Sequence, residues 1–147
     1  MSAFPASQGL YEPTHDEKTF AVLVYVLGIF SGFLAPLIFF IVKRDSKYVS
    51  FHALQSLAWH IIYFMLVFGG MIIVFISIFA TIASQPANHA KPPLAFFGLF
   101  GTVWLIAVGG GLLNLILGII LAVKANRGEW AQIPLIGGWI LRKVIFG

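Results

Sequence analysis

Residues 41–62 read IVKRDSKYVSFHALQSLAWHII, and this stretch decides the fold. A long apolar segment ends at Lys43, a short cationic turn follows, and a second long apolar segment opens with His52, Gln55, Ser56 and His60. That is the pattern of two membrane helices joined by a basic turn, the second entered through a polar face. His52, Ser56 and His60 recur at i, i+4 and i+8, which stacks them on one side of a helix with Gln55 beside them.

Composition supports a membrane setting. Of 147 residues, 60% are hydrophobic and 10% charged, and mean hydropathy is +0.98. Polar surface is too scarce to coat a water-soluble globule of this length, so lipid is the solvent for most of the chain. There is no cysteine, which removes disulfides and thiolate metal sites. The net charge is +4, but the basic residues flank apolar segments and do not form one surface with interleaved aromatics. Anionic lipid headgroups are therefore the expected partner, and nucleic acid is not.

Working outward, Phe20 to Val42 holds no charged side chain. A bilayer core of about 30 Å takes about 20 helical residues, so the spacing predicts a spanning helix over about 20–42. Gly28, Ser31, Gly32 and Ala35 offer a small-residue seam, and Pro36 predicts a kink. Residues 1–18 form a polar tail in which Thr14 and Asp16 suit a helix start. The tail has neither the cationic start of a secretory signal nor the arginines of a transit peptide.

Further spans are predicted over about 54–83 and 94–123, separated by the proline-rich SQPANHAKPP. The first turns of the 54–83 run, with Trp59 and Tyr63, suit the headgroup zone. In the last span Gly110, Asn114 and Gly118 share one face, and the glycines at Gly109 to Gly111 predict local irregularity. From Ile133 the chain is apolar but too short to cross. Trp139, Ile140, Val144 and Ile145 oppose Arg142 and Lys143, which predicts an interfacial amphipathic helix over 133–146, with a re-entrant half-helix as the alternative.

The expected fold is thus all-α integral membrane: one domain over 19–147 with three transmembrane helices plus a C-terminal interfacial amphipathic helix. The seam at Gly28, Gly32, Gly110 and Gly118 predicts a homo-oligomer or a membrane-protein partner. Three spans would put Lys43, Arg44, Lys47, Lys124, Arg127, Arg142 and Lys143 at one leaflet, as headgroup contacts, and only Lys18 and Lys91 at the other. By the positive-inside rule the C-terminus is expected in the cytoplasm and the N-terminus outside a bacterial inner membrane.

Two blocks at this spacing, KRDSKYVSFHALQSL and AVKANRGEWAQIPLIGG, resemble the Tic-twenty-like family of small bacterial membrane proteins, over about Thr19 to Ile140. The matched positions are Lys43, Phe51, His52, Ala53, Gln55, Ala125, Gly128, Pro134, Leu135 and Gly137. The resemblance implies a helical membrane domain without established enzymatic activity. Plastid relatives belong to the chloroplast preprotein translocon, and some bacterial relatives are magnetosome membrane proteins that affect mineral growth. The short C-terminal segment departs from the plastid branch.

Chemistry is sparse. Ser31, Ser56, Ser77, His52 and His60 lie in or near the spans, but no Asp or Glu lies inside any of them and no nucleophile motif occurs, so no catalytic residue is assigned. His52 and His60 are about 12 Å apart along a helix, too far to share one metal ion within a chain, although two subunits could each give one histidine. GGGLLNLILG lies within an apolar run and cannot cradle phosphate. A channel would need an oligomer lined by Asn114, His60 and Gln55. The expected function is a non-enzymatic assembly or interaction component, with no cofactor or metal and a polar interaction face of His52, Gln55, Ser56, His60 and Asn114. The alternatives are a translocon-like or channel-forming oligomer and a metal or haem binder.

Overall fold

The computed structural model describes residues 11–84 and 94–146, so the start of the polar tail and the proline-rich loop lie outside the described residues. Five helices occur among the described residues: α1 (His15–Ser31), α2 (Leu34–Val42), α3 (Lys47–Ser84), α4 (Leu94–Asn126) and α5 (Gly137–Phe146).

The first apolar run does not form one span. It breaks at Gly32, whose φ of 62° and ψ of −125° are open to glycine and costly for other residues. Gly32 N–H closes α1 on the Gly28 carbonyl at 2.9 Å. Ser31 ties the turn from both sides: its hydroxyl donates to Leu27 O (2.8 Å) and accepts from Ala35 N–H (3.2 Å). Backbone groups that lipid could not satisfy thereby find partners. Pro36, expected to kink a longer helix, sits in the first turn of α2, where its missing N–H costs little.

The chain then doubles back. The rings of Phe20, early in α1, and Phe39, late in α2, lie 6.2 Å apart, and Lys43 Nζ sits 3.9 Å from the Phe20 ring centroid. α1 and α2 are an antiparallel hairpin, so Lys18 lies at the same end as the basic turn and not at the opposite one. The third transmembrane helix of the expected fold is thus not confirmed. α3 and α4 alone, among the described residues, are long and apolar enough to cross a membrane. Their surfaces are apolar and open, with Phe79 70% and Leu105 76% exposed, as suits lipid and not a soluble core. α4 runs unbroken through Gly109–Gly111, against the expected irregularity.

The chain forms two compact units, Met1–His60 with Asn114–Gly147, and Ile61–Leu113. In the second, a Cβ at Gly110 would meet Tyr63 Cε2 at 2.5 Å and one at Gly70 would meet Val103 at 2.9 Å. Tyr63 donates to Ala107 O at 2.7 Å, which satisfies its hydroxyl in an apolar setting. In the first unit the start of α3 is central. Val49 and Ala53 pack on Val24, Phe20 and Phe39 of the hairpin. Tyr48 joins Ala21 and Tyr25 of α1 to Leu121, Ala122 and Ala125 of α4. Phe51 packs on Ile140 and Leu141 of α5. α5 is amphipathic as expected, with Trp139, Arg142 and Lys143 exposed, but Ile140 and Leu141 are buried against protein.

Candidate functional site

The polar residues at the start of α3 point inward and hold the first unit together. Gln55 is fully buried. Its Oε1 accepts from Ile133 N–H (2.9 Å), and its Nε2 donates to Ala131 O (2.9 Å) and to the Tyr25 hydroxyl (2.6 Å). The two backbone partners fix which end of the amide is which, because a carbonyl only accepts and an N–H only donates. Tyr25 already accepts from Gln55, so its own proton goes to His52 Nδ1 at 2.9 Å. That assigns the His52 proton to Nε2, which is buried with no hydrogen-bond partner among the described residues.

Rings close round this relay. Tyr48 lies 4.5 Å, Phe51 5.0 Å and Tyr25 5.6 Å from His52 between centroids, all edge to face. Trp130 follows, edge-on to Tyr48 at 5.0 Å. The Tyr48 hydroxyl donates to Ala125 O (2.8 Å) and lies 3.2 Å from Glu129 O. Gly137 is needed here, since a Cβ on it would come within 2.8 Å of Gln55 Oε1 and 2.6 Å of Gln132 Cβ. Gly128 (φ 81°) and Leu135 (φ 74°) turn the connecting segment. Sequence periodicity placed His52 and Gln55 on one face but could not reveal that the segment 129–136 covers it.

One turn deeper, His60 Nδ1 donates to Ser56 O at 2.7 Å, which leaves its buried Nε2 as an acceptor with no partner among the described residues. Ser56 and His60 lie against Gly28, where a Cβ would sit 3.5 and 3.4 Å from them. A Cβ at Gly118 would meet the Ile29 side chain at 3.0 Å. Of the four seam glycines, Gly28, Gly110 and Gly118 thus take close neighbours, and Gly32 ends a helix. Asn114 is half-buried. Among the described residues no group of three His, Cys, Asp or Glu could hold a metal ion.

At the cationic end a second cluster includes Thr14, which caps α1 as expected, although its partner is Glu17 and not Asp16. Thr14 and Glu17 form a capping box on α1. Ser46 donates to Glu17 Oε1 at 2.6 Å and accepts from Val49 N–H at 3.1 Å, so one hydroxyl links the starts of α1 and α3. Tyr11 donates to the same carboxylate oxygen and accepts from Tyr48 N–H. Partial burial works to raise the Glu17 pKa, but hydrogen bonds from Ser46, the Thr14 backbone and Tyr11 outweigh it and hold it below the ordinary carboxylate value. An open groove of about 760 Å³ lies alongside, lined by acids and bases together, including Asp16, Glu17, Lys43 and Lys47. Arg44 stands over the Phe40 ring and Lys143 over Trp139, at 5.7 and 4.8 Å. Lys124 and Arg127 are exposed at the end of α4.

Residues 16–140 match the model of a family described as the magnetosome magnetite crystal formation protein family. A membrane protein of Methanocaldococcus jannaschii is 32% identical over 125 residues, 83% of this chain and 83% of that protein. No solved structure matches. These matches overturn the resemblance to the Tic-twenty-like family, and the expected translocon link falls with it. The two blocks that carried the resemblance are those that meet at Gln55, where they pack the start of α3 against the segment after α4.

Proposed function

The chain belongs to the magnetosome magnetite crystal formation protein family, and from that premise we propose that it is a non-enzymatic membrane component of the assembly in which magnetite crystals form. In this reading α3 and α4 cross the bilayer, the α1–α2 hairpin enters and leaves on one side, and the cationic end faces the cytoplasm. With Lys18 beside the basic turn, this reading puts all eight basic residues among the described residues at that end, where three spans would separate Lys18 from the other seven.

The observation that carries the reading is the internal use of the polar residues. Gln55, Tyr25 and His52 spend their hydrogen bonds on the chain itself. What remains for partners is apolar helix surface within lipid and a basic rim outside it, the surfaces with which membrane proteins assemble. Holding iron directly has less support: hard cations favour carboxylate oxygens, acids number five against nine bases, and Glu17 is already engaged by Ser46 and Tyr11.

Deletion and complementation in a magnetite-forming host tests this. Loss of the protein is expected to alter crystal size or number in electron micrographs, and complementation to restore it. Crosslinking in native membranes is expected to capture a second copy or a membrane partner. Unchanged crystals together with an uncrosslinked monomer would refute the proposal.

A further inference from the structure

The hairpin has a depth, and that depth is informative. From Phe20 to Ser31 α1 rises about 16 Å, close to half of a hydrocarbon core of about 30 Å. Its far end is marked by Gly28, set against Ser56 and His60, and by Ile29, set against Gly118. From Lys47 to His60 α3 rises about 20 Å, and the helix then continues to Ser84. α1 ends at Ser31 and α2 turns the chain back from Leu34.

The outer surface of the hairpin fits lipid, with Phe30 85%, Ile38 57% and Val42 66% exposed. Its open ends carry Lys43 and Arg44, each set over a phenylalanine ring. α5 sits at the same end through Phe51, and presents Trp139 with Lys143 over it, a pairing suited to the headgroup level.

We propose that the α1–α2 hairpin, with α5, is a wedge in the leaflet at the cationic face, which makes the protein favour membrane that is convex on that face. The partner is the anionic lipid leaflet itself. Extra helical volume confined to one leaflet is relieved when that leaflet expands relative to the other, so curvature lowers the energy of the inserted state. The proposal rests on the two-crossing arrangement given above.

The test uses the full chain with one cysteine added after Gly147, reconstituted into giant vesicles of phosphatidylcholine and phosphatidylglycerol. A membrane-impermeant fluorescent maleimide added outside labels only molecules whose C-terminus faces outward; labelling from inside before washing marks the opposite orientation. In tethers pulled outward, outward-facing molecules are expected to be enriched about twofold or more over the parent vesicle, and inward-facing molecules depleted. A Phe30→Asp, Ile38→Asp variant, still inserted through α3 and α4, is expected to lose the enrichment. Equal densities in tether and vesicle for the wild-type chain, or equal enrichment in both orientations, would overturn the wedge. A cysteine at Thr14 labelled from the face opposite the C-terminus would instead overturn the two-crossing arrangement, so the two failures are read separately.

Discussion

The Gln55 carboxamide donates to the Tyr25 hydroxyl across 2.6 Å, joining α3 to α1, while the same side chain holds the backbone of Ala131 and Ile133. One amide thus fastens the hairpin and the segment after α4 to a single point. Gln55→Leu strands the buried Ile133 N–H, at about 1–3 kcal/mol, and leaves the partly buried Ala131 carbonyl without its donor. We expect a clearly lower unfolding temperature in detergent and new protease cleavage between α4 and α5. Tyr25→Phe removes two bonds, the one accepted from Gln55 and the one donated to His52, and should cost about 1–3 kcal/mol. Wild-type stability in Gln55→Leu would show that the amide is dispensable.

Neighbouring glycines in α4 are expected to answer differently to alanine. At Gly110 a Cβ meets the Tyr63 ring at 2.5 Å, whereas at Gly109 nothing lies within 4 Å. Gly110→Ala should destabilise by about 1–3 kcal/mol through overpacking. Gly109→Ala should be neutral or stabilising by up to about 1 kcal/mol, from helix propensity alone. Tyr63→Leu should relieve much of the Gly110→Ala defect. Equal effects at the two positions in denaturant titrations would count against the Tyr63 contact.

Glu17 sets an acid limit on the cationic end. Its folded-state pKa is depressed, so its contribution is fully present above the ordinary carboxylate value and is lost as pH falls through the lower folded value. Acid titration is expected to loosen the Glu17–Ser46 tie in that window, read as faster amide exchange at Tyr48 and Val49. Glu17→Gln should remove the pH dependence of that exchange. A flat acid profile in the wild-type chain would contradict the assignment.

The hairpin turn depends on Gly32. Gly32→Leu forces a side chain into a backbone region that costs about 1–3 kcal/mol and favours joining α1 to α2 as one helix. Cysteines placed at Phe20 and Phe39 should be bridged by a short bifunctional maleimide in the Gly32 background and not with leucine there. Efficient crosslinking in both would indicate that Ser31 and the packing fix the turn without glycine.

Much of this was legible in the sequence. The apolar runs of α3 and α4, the amphipathic α5 and the basic bias follow from composition and periodicity, which need no knowledge of partners. The hairpin was not legible, because an uncharged run from Phe20 to Val42 is long enough to cross, and only the positive φ of Gly32 betrays the break. Pro36 drew attention to the wrong residue. The direction of the polar face was equally hidden: helical spacing puts Gln55 beside His52 and Ser56, while what covers Gln55 comes from Ala131 and Ile133, more than seventy positions away.

The central claim is that the first apolar segment turns back and leaves two crossings. The chain lacks cysteine, so single cysteines at Thr14, at Asn88 and after Gly147 can be labelled with an impermeant maleimide in sealed, oriented membrane vesicles. The account predicts that the Thr14 and C-terminal positions react from one face and Asn88 from the other. Thr14 reacting together with Asn88, opposite the C-terminus, would restore three spans and contradict it.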